Sequence, residues 1–219
     1  MSYRSVPAGA DAVQVAIYLP ACALSGSTRR YPTIYLLHGG GTDETQWPAI
    51  GLASVADRLI ADHQIAPVIV VMPNSGLDPG DSSVQDHVVP WADANLPTLA
   101  AKVDRAIGGI SLGGGAALRI VASRPTLFSR LGGHSPTVPP QALLSQLVPW
   151  GGAVWLDVGN ADNLLSSTEH LAGTLQAEGV RAQLHVSPGG HNRVYWGAHV
   201  ADYLRFYASG WPSPPPGGP

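Results

Sequence analysis

The 219-residue sequence predicts a single-domain α/β fold, with a mostly parallel central sheet, helices on both faces and no large lid. Three observations carry that prediction. Short apolar runs alternate with longer stretches of helical spacing, the pattern of strands joined by crossover helices. Thr33–His38 and Pro67–Met72 are apolar without a polar alternation, as strands covered on both faces are. The length suits one sizeable core and not two.

In chain order, Val13–Leu19 reads as a strand, and Thr33–His38 as a buried strand running into glycines. Leu52–Asp62 has helical spacing, and Pro67–Met72 is a buried strand closed by Pro73-Asn74. A polar loop from Ser75 to Gln85 precedes a helix expected at Trp91–Val103. Arg105–Gly109 is a short strand, Gly113–Ser123 a helix and Leu131–Gly133 a further strand. Ala153–Val158 and Arg181–Ser187 are strands flanking a helix at Leu164–Glu178, and Tyr195–Tyr207 is the last helix. Residues 1–211 form the expected domain. The Pro/Gly-rich segment 212–219 is expected to be a disordered tail.

Hydrophobic residues make up 45% and charged residues 12%, a globular composition. A net charge of -3 with no basic run argues against a nucleic-acid surface. Cys22 is the sole cysteine, so neither an intrachain disulfide nor a multi-cysteine metal site can form. No histidine pair has a compact ligand spacing, so no metal is expected, and nothing calls for a cofactor. The start of the chain lacks a basic segment followed by a signal-length apolar one, and no apolar run could span a bilayer. The expectation is a soluble protein, cytoplasmic rather than secreted. The oligomeric state is not legible.

Gly109-Ile110-Ser111-Leu112-Gly113 fits G-x-S-x-G between an apolar strand and a helix, the setting of a nucleophile elbow with Ser111 exposed at its tip. His38-Gly39-Gly40-Gly41 follows another strand. Glycines there can aim backbone N–H groups at a developing oxyanion, so Gly40 and Gly41 are donor candidates beside Leu112, the residue after the serine. His38 is expected to brace that loop. An acid and a base should follow later strands. Asp162 comes just after Ala153–Val158, with Asp157 as its rival within the strand, and His191 comes just after Arg181–Ser187. Of the other histidines, His87 and His134 lie in loops that could border a site.

These segments resemble the esterase branch of the α/β-hydrolases, which includes S-formylglutathione hydrolases, feruloyl and acetyl-xylan esterases, small tributyrin-type esterases and the antigen 85 mycolyltransferases. The resemblance runs from Val13 to Tyr207 and rests on Tyr35-Leu36-Leu37-His38-Gly39, the stretch Arg105 to Gly114, and Pro188-Gly189-Gly190-His191. It implies a Ser111–Asp162–His191 triad, with Gly40 and Leu112 lining an oxyanion hole. Three places depart from the family pattern: Gly115, Ala94-Asn95-Leu96, and Arg193, which stands where relatives often carry an aromatic.

The implied activity is hydrolysis of a short or soluble carboxylic ester through an acyl-enzyme, with a small-molecule ester as the partner. Acyl transfer of the mycolyltransferase type would use the same residues, and a non-catalytic binding module would keep only the fold. The interval between Gly133 and Ala153 is short and interrupted by Pro136, Pro139, Pro140 and Pro149, so an open site is expected. Trp47, His134, Arg193 and Trp196 are expected to contact substrate, with Trp91 at the edge.

Overall fold

Ile69-Val70-Val71-Met72 is buried at every position, as an interior strand of a two-faced sheet must be. The computed structural model describes residues 1–23 and 28–212, so the expected tail lies outside the described residues apart from Pro212. Eight strands form one sheet: β1 (Ser2–Ala8), β2 (Asp11–Tyr18), β3 (Thr33–Leu37), β4 (Ile69–Pro73), β5 (Arg105–Ile110), β6 (Arg130–His134), β7 (Ala153–Gly159) and β8 (Arg181–Ser187). Their spatial order is β1-β2-β4-β3-β5-β6-β7-β8. β1–β2 and β2–β4 are antiparallel, and every pairing from β4 through β8 is parallel. The helices are α1 (Gln46–Ala49), α2 (Leu52–Ala61), α3 (Val89–Asn95), α4 (Leu112–Ser123), α5 (Gln141–Leu144), α6 (Leu165–Ala177) and α7 (Arg193–Ala208). None is long and apolar enough to cross a membrane.

Alternation along β3 divides the core. Ile34 and Leu36 face α2 and α7, whereas Tyr35 and Leu37 join the cluster that holds residues of α3, α4 and α6. Of the α7 side chains that pack on the sheet, Tyr207 reaches farthest into it. The Tyr207 hydroxyl lies over β5 and β6 where a Cβ at Gly108 or Gly132 would overlap it. The two glycines therefore cut the slot that the ring fills.

Two elements differ from expectation. β1 gives no clear signal because it is an edge strand with Pro7 and only Val6 buried, so it carries no apolar alternation. The helix expected at Trp91–Val103 runs from Val89 to Asn95 instead, continuing a π-helical turn at Val84–Val88. Pro97 explains its end, because the residue before a proline is driven out of the α region and Leu96 is extended at φ -119°, ψ 156°. Between β6 and β7 stand only α5 and a 3-10 turn, Ser145–Leu147, with no folded cap.

Candidate functional site

Ser111 sits at the carboxyl end of β5, at the turn into α4, with φ 55° and ψ -116°. A non-glycine residue there is strained, and the surroundings hold it in place. Its N–H donates to the His134 carbonyl at 2.9 Å, and its own carbonyl accepts from Thr137 N at 3.1 Å and Gly115 N at 3.2 Å. The turn closes only because its flanks are bare: a Cβ at Gly109 would strike the Gly113 backbone, and one at Gly113 would strike the Leu37 and His38 carbonyls.

β7 and β8 deliver the other two side chains. Their exit loops are laced together, with Ala161 N donating to the Gly189 carbonyl at 2.8 Å and Asn160 N to the Ser187 carbonyl at 2.8 Å. Asn192 then caps α7, its Oδ1 accepting from Val194 N at 3.0 Å and Tyr195 N at 3.1 Å. Between lacing and cap stands His191. Its Nε2 lies 3.0 Å from Ser111 Oγ, and its Nδ1 lies 3.0 Å from Asp162 Oδ2 and 3.1 Å from Oδ1. The carboxylate can only accept, so Nδ1 carries the proton and Nε2 is left to accept from the serine hydroxyl. The Asp162 side chain is fully buried and that of His191 is 29% exposed, so the array runs from a shielded anion to an open serine. Asp162 Oδ1 also accepts from Leu164 N at 2.8 Å, which fixes the carboxylate plane.

The glycine loop after β3 lies against the elbow, since a Cβ at Gly40 would come within 2.6 Å of Leu112 Cδ1. Gly39 is not a free donor: its N–H is held by Gln46 Oε1 at 2.6 Å, and its carbonyl accepts from Thr42 Oγ1 at 2.7 Å and His38 Nδ1 at 2.8 Å. Gly40 and Gly41 N–H make no hydrogen bond among the described residues, and neither does that of Leu112, whose place in the first turn of α4 leaves it without an intrahelical partner. Free backbone donors thus flank Ser111 from two elements. Gln46 and Thr42 were not singled out in the sequence, which carries no periodic or motif signal for them. Asn192, standing just before a helical run, did carry one.

Three residues expected at the substrate are buried instead. Trp47 is 1% exposed, donates Nε1–H to the Leu37 carbonyl at 3.0 Å, and belongs to the core. His134 is fully buried beneath the elbow, with Nδ1 2.5 Å from Asp157 Oδ1, Nε2 2.9 Å from the Tyr207 hydroxyl, and its ring stacked on Tyr203. Both fail for one reason: each side chain is directed by its element toward the α7 side of the sheet, where packing covers it. Asp157 belongs to the same network, accepting from the Tyr203 hydroxyl at 2.7 Å and from Trp155 Nε1 at 3.3 Å. Trp196 is buried too; its ring stands edge-on to His191 at 5.0 Å and its Nε1 reaches Ser135 Oγ at 3.3 Å, so it backs the imidazole. Trp91 packs against the other core cluster, and His87 lines a polar cleft beside Asn74 and Asp81. Arg193 is exposed at the first residue of α7, two positions past His191.

The fold and this arrangement define an α/β-hydrolase. Residues 9–164 match the model of the family described as "Putative esterase", and the chain belongs to that family. It is similar to an endo-1,4-beta-xylanase/feruloyl esterase of Xylanibacter ruminicola, 32% identical over 201 residues that cover 82% of this chain and 27% of that protein. An esterase of Mycobacterium tuberculosis is 30% identical over 149 residues, 61% of this chain and 32% of the other. The chain thus spans about a quarter to a third of these curated relatives. Among solved structures, a ferulic acid esterase superposes with a TM-score of 0.84 at 20% identity, covering 94% of this chain and 97% of that one. The S-formylglutathione hydrolase of Staphylococcus aureus superposes at 0.77 with 18% identity, covering 95% and 96%.

Proposed function

We propose that the protein hydrolyses short, soluble carboxylic esters by way of a Ser111 acyl-enzyme. The single observation that carries this reading is the unbroken contact chain from Ser111 Oγ through the His191 ring to buried Asp162. His191 Nε2 takes the hydroxyl proton as Oγ attacks the ester carbonyl. The carbonyl oxygen becomes an anion against the N–H of Leu112 and the N–H of Gly40 or Gly41. The C–O bond to the alcohol then breaks and the alcohol leaves with the proton from His191. Water, deprotonated by the same nitrogen, attacks the acyl carbon; the bond to Ser111 Oγ breaks, Oγ takes the proton back from His191, and the acid is released. Asp162 keeps the proton on Nδ1 and stabilises the imidazolium that forms twice in each cycle.

The preference for small esters is supported by the short β6–β7 interval, which carries no folded cap. The names of the relatives point to hydroxycinnamoyl esters and S-acyl glutathione thioesters as the first classes to test. Ser111→Ala with p-nitrophenyl acetate, together with fluorophosphonate labelling, tests the reading. Turnover and labelling should both vanish while the fold persists. Labelling that survives the substitution would remove Ser111 from the mechanism. Partition of the acyl group between water and added alcohol separates hydrolysis from acyl transfer.

A further inference from the structure

A cleft of about 570 Å³ opens at the amino ends of β6, β7 and β8, the opposite end of the sheet from Ser111. Three cations line it: Lys102 from the 3-10 turn before β5, Arg130 on β6 and Arg181 on β8. Arg130 and Arg181 are both in register with Ala153 of the strand between them, so their Cα atoms lie two strand spacings, about 10 Å, apart on one face. Three of the twelve Lys and Arg residues of an acidic chain, including its only lysine, therefore meet at one place.

What holds them is neutral. Lys102 Nζ donates to the Trp150 carbonyl at 3.0 Å and lies over the Trp150 ring. Arg181 Nη2 donates to the Gly151 carbonyl at 2.7 Å. Arg130 bonds the hydroxyls of Ser129 and Ser209 and the Ser209 carbonyl, and rests on the Trp211 ring. No carboxylate among the described residues pairs with any of the three, whereas Arg105, Arg124 and Arg205 each have an aspartate. Lys102 and Arg181 each spend one donor on these bonds and keep the rest. Burial pulls the Arg130 guanidinium below its ordinary pKa, a penalty that a bound anion would offset.

We propose that this cleft binds a small anion of the phosphate class, with the Arg181 fork and the Lys102 ammonium as its principal donors. Carbonyls and aromatic faces orient the three cations without neutralising them, so an added negative charge would meet the attraction of all three. An oxyanion with several acceptors takes both a guanidinium fork and a point ammonium charge. The site is separate from the esterase reading and does not depend on it.

Titration calorimetry with pyrophosphate and with glycerol phosphate, ionic strength held constant with sodium chloride, tests it and separates an inorganic from an ester source. Saturable one-to-one binding of either is expected. Arg181→Gln and Lys102→Gln should each weaken it about tenfold, as loss of one charge-assisted hydrogen bond requires. Ester turnover in these variants should equal that of the native chain, because the cleft is remote from Ser111. Heat that only tracks ionic strength, or an affinity in both variants unchanged from that of the native chain, overturns the site. Should Arg181→Gln fail to fold, the native titration and Lys102→Gln decide the matter alone.

Discussion

Replacing Asp162 with asparagine tests the site through a single proton. The backbone fixes which way the new amide faces. Asp162 Oδ1 accepts from Leu164 N at 2.8 Å, so the amide oxygen must stay there and the NH₂ group must take the place of Oδ2, 3.0 Å from His191 Nδ1. A donor facing Nδ1 drives the ring to carry its proton on Nε2, the nitrogen that has to accept from Ser111. This wrong-tautomer effect amounts to about 10⁴-fold in turnover, or about 5.4 kcal/mol of barrier. Shape and burial are unchanged, so the thermal midpoint should hardly move. Asp157→Asn should do the reverse. It replaces an acceptor of His134 and Tyr203 in the buried network by a donor, at a cost of about 1–3 kcal/mol, and leaves the His191 tautomer alone. Steady-state kinetics with p-nitrophenyl acetate and a melting curve for each variant suffice. An inactive but stable Asp157→Asn beside an active Asp162→Asn would refute the reasoning.

Gln46→Ala removes the acceptor that ties down Gly39 N–H, so the glycine loop should lose its alignment. Turnover should fall about tenfold or more with little change in KM, the signature of a contact felt mainly in the transition state; a change confined to KM would contradict it. Gly132→Ala places a methyl group on the Tyr207 hydroxyl and should destabilise by about 1–3 kcal/mol, read as a lowered thermal midpoint; an unchanged midpoint would mean that Tyr207 moves aside freely. At Asp81, burial alone would raise the pKa, but hydrogen bonds from Ser83, Ser75 and the N–H groups of Ser83 and Gly76 outweigh it and hold the carboxyl below its usual value. The hold on residues 75–83 is thus complete above about pH 4 and lost as pH falls through the lower folded value. Protection of the Gly76 and Ser83 amides, taken relative to the intrinsic exchange rate at each pH, should fall at that acid limit in the native chain and already at pH 7 in Asp81→Asn; protection indifferent to both would dismiss the carboxylate's role.

The sequence disclosed what depends on local order along the chain. Ser111, Asp162 and His191 could be singled out because each follows a strand-like run, and in a parallel sheet all such positions gather at one end. The glycines around the elbow were readable because backbone approach tolerates no other residue there. Side-chain direction was not readable. Trp47 follows the glycine loop by six residues and His134 ends the strand paired with the elbow strand, yet which side they pack on depends on α7, which comes from the far end of the sequence. The bond between Gln46 and Gly39 likewise depends on α1 folding back over its own loop. The end of α3 is legible in Pro97, which drives Leu96 out of the helical region.

Ser111 and His191 are 80 residues apart and meet across the ends of β5 and β8, with β6 and β7 between them. A chain emerging from the ribosome carries the serine, its strained turn and the glycine loop long before the imidazole exists. Until β8 docks, the elbow holds a hydroxyl with no acceptor for its proton. Recovery of turnover in a refolding experiment therefore requires β8 to be in place beside β7, whatever other signal has already returned.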